Sequence, residues 1–388
     1  MNFTFTTAGE SHGKALIAIV EGVPAGLEID VEKIDHELWR RQQGYGRGGR
    51  MKIESDAIEF LSGVRHGKAL GSPISMMIVN KDFIHWEQVM SSEKLDEEPK
   101  NPRKVTRPRP GHADLPGGQK FQTHDLRDIL ERASARETAA RVACGALAKQ
   151  LLAAFNVDIK SHVIKLGSIP SVPLKKTWED ICNIPADSKL NCTDSEIDFL
   201  MVELVDQAKE KGDTLGGIFE VVAKNVIPGI GSHTSWSEKL DGRIAQAFMS
   251  IQAVKAVELG TAVSNASKFG SKVHDEIFAE DNAFVRKTNR AGGLEGGITN
   301  GEEIRVRGYL KPISTLRTPL HSVDINTKKQ DLAAFERSDI TAVPAAGVIG
   351  EAMLAIVLAN SFREKFGGDS IEEMQRNFMG YQASLKKY

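Results

Sequence analysis

Cysteine is scarce: Cys144, Cys182 and Cys192 are the only three in 388 residues. An odd number at wide spacing offers neither a disulfide framework nor a paired metal-binding pattern, and it suits a reducing compartment. The first fifteen residues, MNFTFTTAGESHGKA, have no basic stretch ahead of an apolar one, so no secretory signal is expected. No apolar run approaches the ~20 residues that span a bilayer. These absences predict a cytoplasmic protein without a membrane partner. An excess of one charge is missing too. The net charge of -2 argues against a chain built mainly to hold nucleic acid.

The familiar nucleotide and metal motifs are also absent. GESHGKA (9–15) and GVRHGKA (63–69) each have one residue too few between their glycines for a phosphate-binding P-loop, and Ala follows the lysine where Ser or Thr is needed. GYGRGG (44–49) follows a helical pattern rather than a strand, which excludes the dinucleotide fingerprint. No HExxH or HxxH pattern occurs, so no metal site is expected.

What is present is an ordinary globular composition, 41% hydrophobic. No linker, composition break or fixed-period repeat divides it, so residues 1–388 are expected to form a single domain. Strands are predicted at 2–7, 16–20, 58–64, 74–80, 157–169, 216–227 and 303–310. Helices are predicted after Asp30, from Asp194 to Gly212, over 238–259 and over 347–366. In the helix after Asp194, Ile197, Leu200, Met201, Leu204 and Val205 are expected to face inward. Residues 85–102 read as a polar surface loop. Paired strands among the helices point to an α+β class, a layered sandwich with antiparallel sheets.

Residues 103–145 stand out. Pro108, Pro110 and Pro116, with Pro102 just ahead of them, make the first half irregular. Ser134-Ala-Arg-Glu137 then fits a capping box, followed by an apolar stripe of Ala139, Val142, Ala143, Ala146, Leu147, Leu151 and Ala154. Arg132 and Arg136 flank that helix start, and Arg103, Arg107 and Arg109 precede it. Such an arrangement is either a solvated basic face or a site for a strongly anionic small molecule.

The glycine-rich RRQQGYGRGGR (40–50) allows the same two readings, with RNA contact as a third. His12 and His112 each sit in a Gly/Pro turn near arginines, where either a structural or an acid–base role is open. GGLEGGITNG (292–301) holds too many glycines for a regular element. KPIST (311–315) offers a cation and two hydroxyls. Arg337-Ser-Asp339 is an ion pair or a functional carboxylate.

Seven segments taken in order resemble the chorismate synthase family: GESHG (9–13), RRQQGYGRGGR (40–50), RPGHAD (109–114), ERASARETAARVACGA (131–146), SIQAVKAVELG (250–260), GGLEGGITNG (292–301) and RSDITAVPAAGVIGEAM (337–353). The resemblance spans essentially the whole chain.

It implies a β-α-β sandwich assembling as a homotetramer, and a 1,4-anti elimination of phosphate from 5-enolpyruvylshikimate 3-phosphate giving chorismate. Reduced FMN is the implied cofactor, with no net redox change. An external flavin reductase is the implied partner, and NADPH is a possible reductant. By position, His12 resembles the acid that protonates the departing phosphate. His112 resembles the residue that stabilises the reduced flavin, and Asp339 the base that assists loss of the substrate proton. Flavin contacts would fall to Arg132, Ala133, Ser134, Gln252, Ala253, Gly296, Lys311, Pro312, Ile313, Ser314, Thr315 and Arg337. Arg50, Arg107 and Arg136 would meet substrate anions, and Arg41 and Arg47 a nicotinamide nucleotide.

Overall fold

A computed structural model describes residues 2–48, 55–169, 176–280, 283–336 and 339–388. Two four-stranded antiparallel sheets form its outer layers. The first contains β1 (Thr4–Ala8), β2 (Ala15–Glu21), β3 (Glu59–Ser62) and β4 (Ile74–Val79) in the order β1-β2-β4-β3. Period-2 alternation sends Leu16, Ala18 and Val20 of β2 and Ile74, Met76 and Ile78 of β4 inward, while Ile19 and Val79 face out. The second sheet contains β5 (Asp158–Leu166), β6 (Gly217–Lys224), β7 (Val254–Leu259) and β8 (Ile304–Leu310) in the order β5-β6-β8-β7.

Two helices fill the space between the sheets. They are α4 (Thr138–Ala153), which packs on the first sheet, and α7 (Val343–Phe366), which packs on the second. The helices also lie against each other, closest at Gly145, where an added Cβ would stand 2.3 Å from the Cβ of Ala352. A glycine inside a helix costs ~1 kcal/mol relative to alanine, and here it permits that approach. Helix α1 (Val31–Gln42) is capped by Asp30, whose side chain accepts from Glu32 and Lys33 amides, and it completes the middle layer. One continuous apolar cluster runs from Phe3 to Met374. The expected α+β layered sandwich is therefore the observed one.

By length and composition α7 could cross a membrane, yet 89% of its most apolar window is buried inside the protein. It also carries Glu351, fully buried and bonded to Arg40 (2.7 and 2.8 Å), Ser161 (2.5 Å) and Lys149.

Several local expectations are corrected. The helix expected over 238–259 ends early, as α6 (Leu240–Met249). Ala253 then turns the chain at φ +70°, and Val254–Leu259 pairs with β8 as β7, its Val254 and Val257 suiting a strand. The glycines of 292–301 do build an element. Leu294–Glu295 pairs with Ile298–Thr299 around Gly296 (φ +61°) and Gly297 (φ +89°), both in the left-handed region that a two-residue hairpin turn requires.

The stretch read as irregular contains α2 (Asp114–Phe121) and α3 (Arg127–Ala133). Pro116 is tolerated in the first turn of α2. Gly117 and Gly118 admit Ile129 and Leu126, which would meet added Cβ atoms at 2.4 and 2.5 Å.

The capping box forms only in part. Ser134 accepts from the Arg136 amide and opens a short 3-10 turn, Ala135–Glu137, before α4 begins. Glu137 bonds instead to Thr7 (2.7 Å) and Arg141 (2.9 Å). Helix α5 (Ser195–Lys211) has the expected Asp194 cap and Gly212 stop, and Met201 and Val205 are buried, but Leu200 faces solvent. A last helix, α8 (Ile371–Leu385), has no counterpart in the sequence reading.

Candidate active site

The turn joining β1 to β2 is pinned onto α3. Glu131, 3% exposed, accepts the His12 amide at Oε2 (2.7 Å) and lies 2.8 Å from His12 Nδ1 at Oε1. Its backbone oxygen accepts from the Ser11 amide (2.9 Å). Trp86 stacks on the imidazole with centroids 3.8 Å apart, and the Arg103 guanidinium lies 3.8 Å from the same indole. Burial alone would raise the Glu131 pKa. Bonds from His12 and the charge of Arg127, 3.2 Å away, outweigh it and hold the carboxyl below its usual value.

Next to this turn lies a buried cationic pocket. Arg136 donates to Asn80 Oδ1 (3.0 Å) and to both oxygens of Asp56 (2.6 and 2.7 Å). Asn80 donates in turn to the carbonyls of Gly13 (2.7 Å) and Glu10 (3.1 Å), so one amide ties the histidine turn to the pocket. Arg41, from α1, donates to Thr138 Oγ1 and the Ala135 carbonyl (both 2.9 Å) and stands 3.7 Å from Asp56. Arg47 lies 3.2 Å from Asp339, which also accepts the Gly48 amide at 2.6 Å. Among the described residues, three guanidiniums thus share two carboxylates. Burial, with Arg136 and Arg47 adding to it against Asp56, pulls the Arg41 pKa down to about 9. Burial disfavours charge of either sign, but the share contributed by Arg136 and Arg47 is positive potential, which an added anion would relieve.

A second cluster is built around α2 and residues 311–315. Asp114, fully buried, accepts twice from Arg109 (2.8 and 3.1 Å) and stands 2.5 Å from His112 Nδ1. Burial pushes its carboxyl up, and the His112 and Arg109 bonds overcome that and hold it well below the carboxylate range. Arg109 also donates to Thr315 Oγ1 (2.9 Å). Lys311 donates to Ser314 (2.9 Å), and Ser314 to the Gly111 carbonyl (3.0 Å). Burial, reinforced by Lys255, lowers the Lys311 pKa. The Lys311 amide donates to the Ala253 carbonyl (3.0 Å). Gln252 donates to Glu137 (3.4 Å), and its own side-chain oxygen is buried without a hydrogen-bond partner.

Arg132 donates to the Thr7 and Gly9 carbonyls (both 2.9 Å) and to Thr7 Oγ1, which donates to Glu137. The two clusters therefore meet at Thr7 and Glu137. Ala133 ends α3, and Ser134 donates to Ser11 (3.1 Å). Pro312 and Ile313 lie on the same turn as Lys311, with the Ile313 carbonyl held by Thr214.

Two of the expected residues lie away from this group. Arg107 pairs with Asp331 at 3.6 Å, both half exposed. Gly296 neighbours the start of α6, since the Leu240 amide bonds the Gly297 carbonyl, whereas Gln252 follows the helix's other end, about 15 Å away at 1.5 Å per residue. Arg50 and Arg337 lie outside the described residues.

Glu131, Asp114, Asp56, Asn80 and Trp86 are not singled out from sequence, and Glu137 only as a capping residue. Asp114 and Glu131 lie inside quoted motifs, where the acidic residue beside the basic ones was the available signal. Nothing local links Glu131 to a histidine 119 positions earlier, and Trp86 lies in a stretch read as polar loop.

Comparison with known proteins gives the family. The family model described as chorismate synthase matches residues 3–362. A protein of Solibacter usitatus named chorismate synthase is 55% identical over 392 residues, covering 99% of both chains. One of the same name from Aquifex aeolicus is 54% identical, covering 99% of this chain and 98% of its own. A crystal structure titled as chorismate synthase superposes with a TM-score of 0.81 at 44% identity, covering 100% of this chain and 99% of its own. The chain belongs to the chorismate synthase family.

Proposed function

We propose that this chain eliminates phosphate from 5-enolpyruvylshikimate 3-phosphate in a 1,4-anti sense to give chorismate, using bound reduced FMN with no net redox change. The observation that carries the reading is the buried pocket of Arg41, Arg47 and Arg136, tied through Asn80 to the His12 turn. A substrate with two carboxylates and a phosphate must be desolvated and still paired, and forked guanidiniums do both. Arg50, from the same basic segment of sequence, is proposed as a further partner for the substrate anions.

The residues also fit a flavin mononucleotide. The orphaned, buried oxygen of Gln252 suits an imide N–H, and Lys311, with its hydroxyl neighbours Ser314 and Thr315, suits an anionic ligand. Arg132, Ala133, Ser134, Ala253, Pro312, Ile313 and Arg337 complete the proposed contacts. When bound, reduced FMN lends the electron density that helps phosphate leave.

His12 delivers a proton from Nε2 to the departing phosphate oxygen. His112, oriented by Asp114, presents its ring to the flavin side of the cavity. Asp339, fixed by the Gly48 amide and Arg47, assists removal of the substrate proton.

Reduced flavin comes from an external reductase, with NADPH as the source of hydride. Arg41 is 4% exposed and committed to the 135–138 turn, which suits it better to the substrate pocket than to a nicotinamide nucleotide. Assembly as a homotetramer belongs to the same reading.

An anaerobic assay with dithionite-reduced FMN tests the proposal. Chorismate is expected, whereas oxidised FMN with NADPH alone gives none. Absence of chorismate under reduced conditions overturns the reading, and a shikimate-type product in its place identifies a phosphatase.

A further inference from the structure

We propose that Glu131 is a positioning residue that fixes the proton of the neutral His12 ring on Nδ1 and so makes Nε2 the nitrogen that exchanges protons with the substrate. This rests on the reading of His12 as the acid that meets the departing phosphate.

Both Glu131 oxygens serve one residue. Oε2 takes the His12 amide at 2.7 Å and stands 3.1 Å from Nδ1, while Oε1 faces Nδ1 more closely at 2.8 Å. A ring nitrogen facing a charged carboxylate carries hydrogen, because two acceptors would repel. Once the imidazolium has given up a proton from Nε2, the neutral ring left behind is therefore the Nδ1–H form, already bonded. The ring cannot swing away, since Trp86 covers one face at 3.8 Å.

The carboxylate is kept charged and in place by Arg127 (3.2 Å), which also donates to Glu336 (2.8 Å). His112 shows the same order of parts: Nδ1, a buried carboxylate in Asp114, then Arg109. Two unrelated segments thus arrive at one arrangement, which argues against chance packing.

Glutamine at 131 cannot reproduce it. A carboxylate offers two acceptors, whereas an amide offers one acceptor and two donors. Either the His12 amide loses its acceptor or Nδ1 faces an NH2 group and must become the acceptor, placing hydrogen on Nε2. The wrong tautomer of a catalytic histidine whose geometry is otherwise intact costs about 10⁴ in a serine protease. The group here is partly exposed, so a loss of about 10²-fold or more in kcat with little change in KM is expected for Glu131→Gln.

Two measurements separate positioning from a structural role. The ¹⁵N shifts of the His12 ring, read without flavin or substrate in [¹⁵N]histidine-labelled full-length protein, should report Nδ1–H in the unsubstituted chain and a different tautomer balance in Glu131→Gln. His12→Asn assigns the signals. In a double-mutant cycle, Glu131→Gln added to His12→Asn should cost almost nothing further, because Glu131 acts through the ring.

An unchanged ¹⁵N pattern, or losses that multiply in the cycle, overturns the proposal. If Glu131→Gln does not fold, Glu131→Asn carries the same tests, and Glu131→Asp is the conservative control, expected to keep the Nδ1–H signal and to lose less kcat than the amide variant. Failure of the unsubstituted chain to form chorismate strikes the functional reading alone, since the spectrum needs no substrate.

Discussion

At Asp114 two opposed effects meet on a single carboxylate. Full burial penalises the charge, and three hydrogen bonds from Arg109 and His112 return more than that penalty. Glu131 repeats the balance with a single arginine, and Asp339 uses a backbone amide and Arg47. Each carboxylate is held in one orientation by the groups bonded to it.

At this scale, His12→Ala and His112→Ala are expected to fold and to lose at least about tenfold in turnover. Asp339→Asn should slow turnover comparably while flavin binding, followed by fluorescence quenching, stays near normal. An unchanged rate in any of the three removes that residue from the acid–base set. A fall in flavin affinity for Asp339→Asn would instead mark it as a cofactor contact.

Elements were legible in the sequence where local chemistry decides them. Asp30, Asp194 and Gly212 announced their helices because capping needs only neighbours a few residues away. The long apolar helix near the end was legible from composition, although its start at Val343 lay four residues earlier than read. The reading failed where distant partners decide. Val254–Leu259 is a strand because β8 is there to pair with it, and Gly117 and Gly118 tolerate a helix because α3 packs against them.

The site divided the same way. Arginine clusters and Gly/Pro turns mark His12, His112, Arg41 and Arg136 as candidates; Asp114 stands two residues from His112 in the same motif, whereas Glu131 is 119 positions from His12 and meets it only through packing. Gly145 tests the packing directly. Gly145→Val should overpack the α4–α7 crossing and cost about 1–3 kcal/mol or more, read as a lower urea midpoint. An unchanged midpoint would show that the crossing has room to spare.

Over the whole molecule, the middle layer carries charge as well as apolar surface. Burial would raise the Glu351 carboxyl, and Arg40 and Lys149 outweigh it, holding it well below its ordinary 4.5. A carboxylate depressed in this way stabilises the fold fully above its unfolded value and loses that contribution as pH falls through the native value. Stability should therefore be flat in this respect from pH 7 to about 5 and decline below about 4.5, with Asp114 and Glu131 contributing in the same direction. Glu351→Gln should lose about 1–3 kcal/mol at pH 7, because a fully buried acceptor loses its charge while the partly exposed Arg40 and Lys149 keep Glu37 as a partner. Its urea midpoint should then change less with acid than that of the unsubstituted protein. Parallel pH curves for the two would show that Glu351 is not the titrating group.

The order of the layers along the chain also bears on how the protein is made. All eight strands are synthesised before α7, yet α7 is what covers the inner face of the second sheet. A ribosome that has passed residue 310 therefore holds two finished sets of strands with one greasy face still waiting, and contacts formed then are provisional. The same helix, α7, brings Glu351 to the cations of α1 and α4.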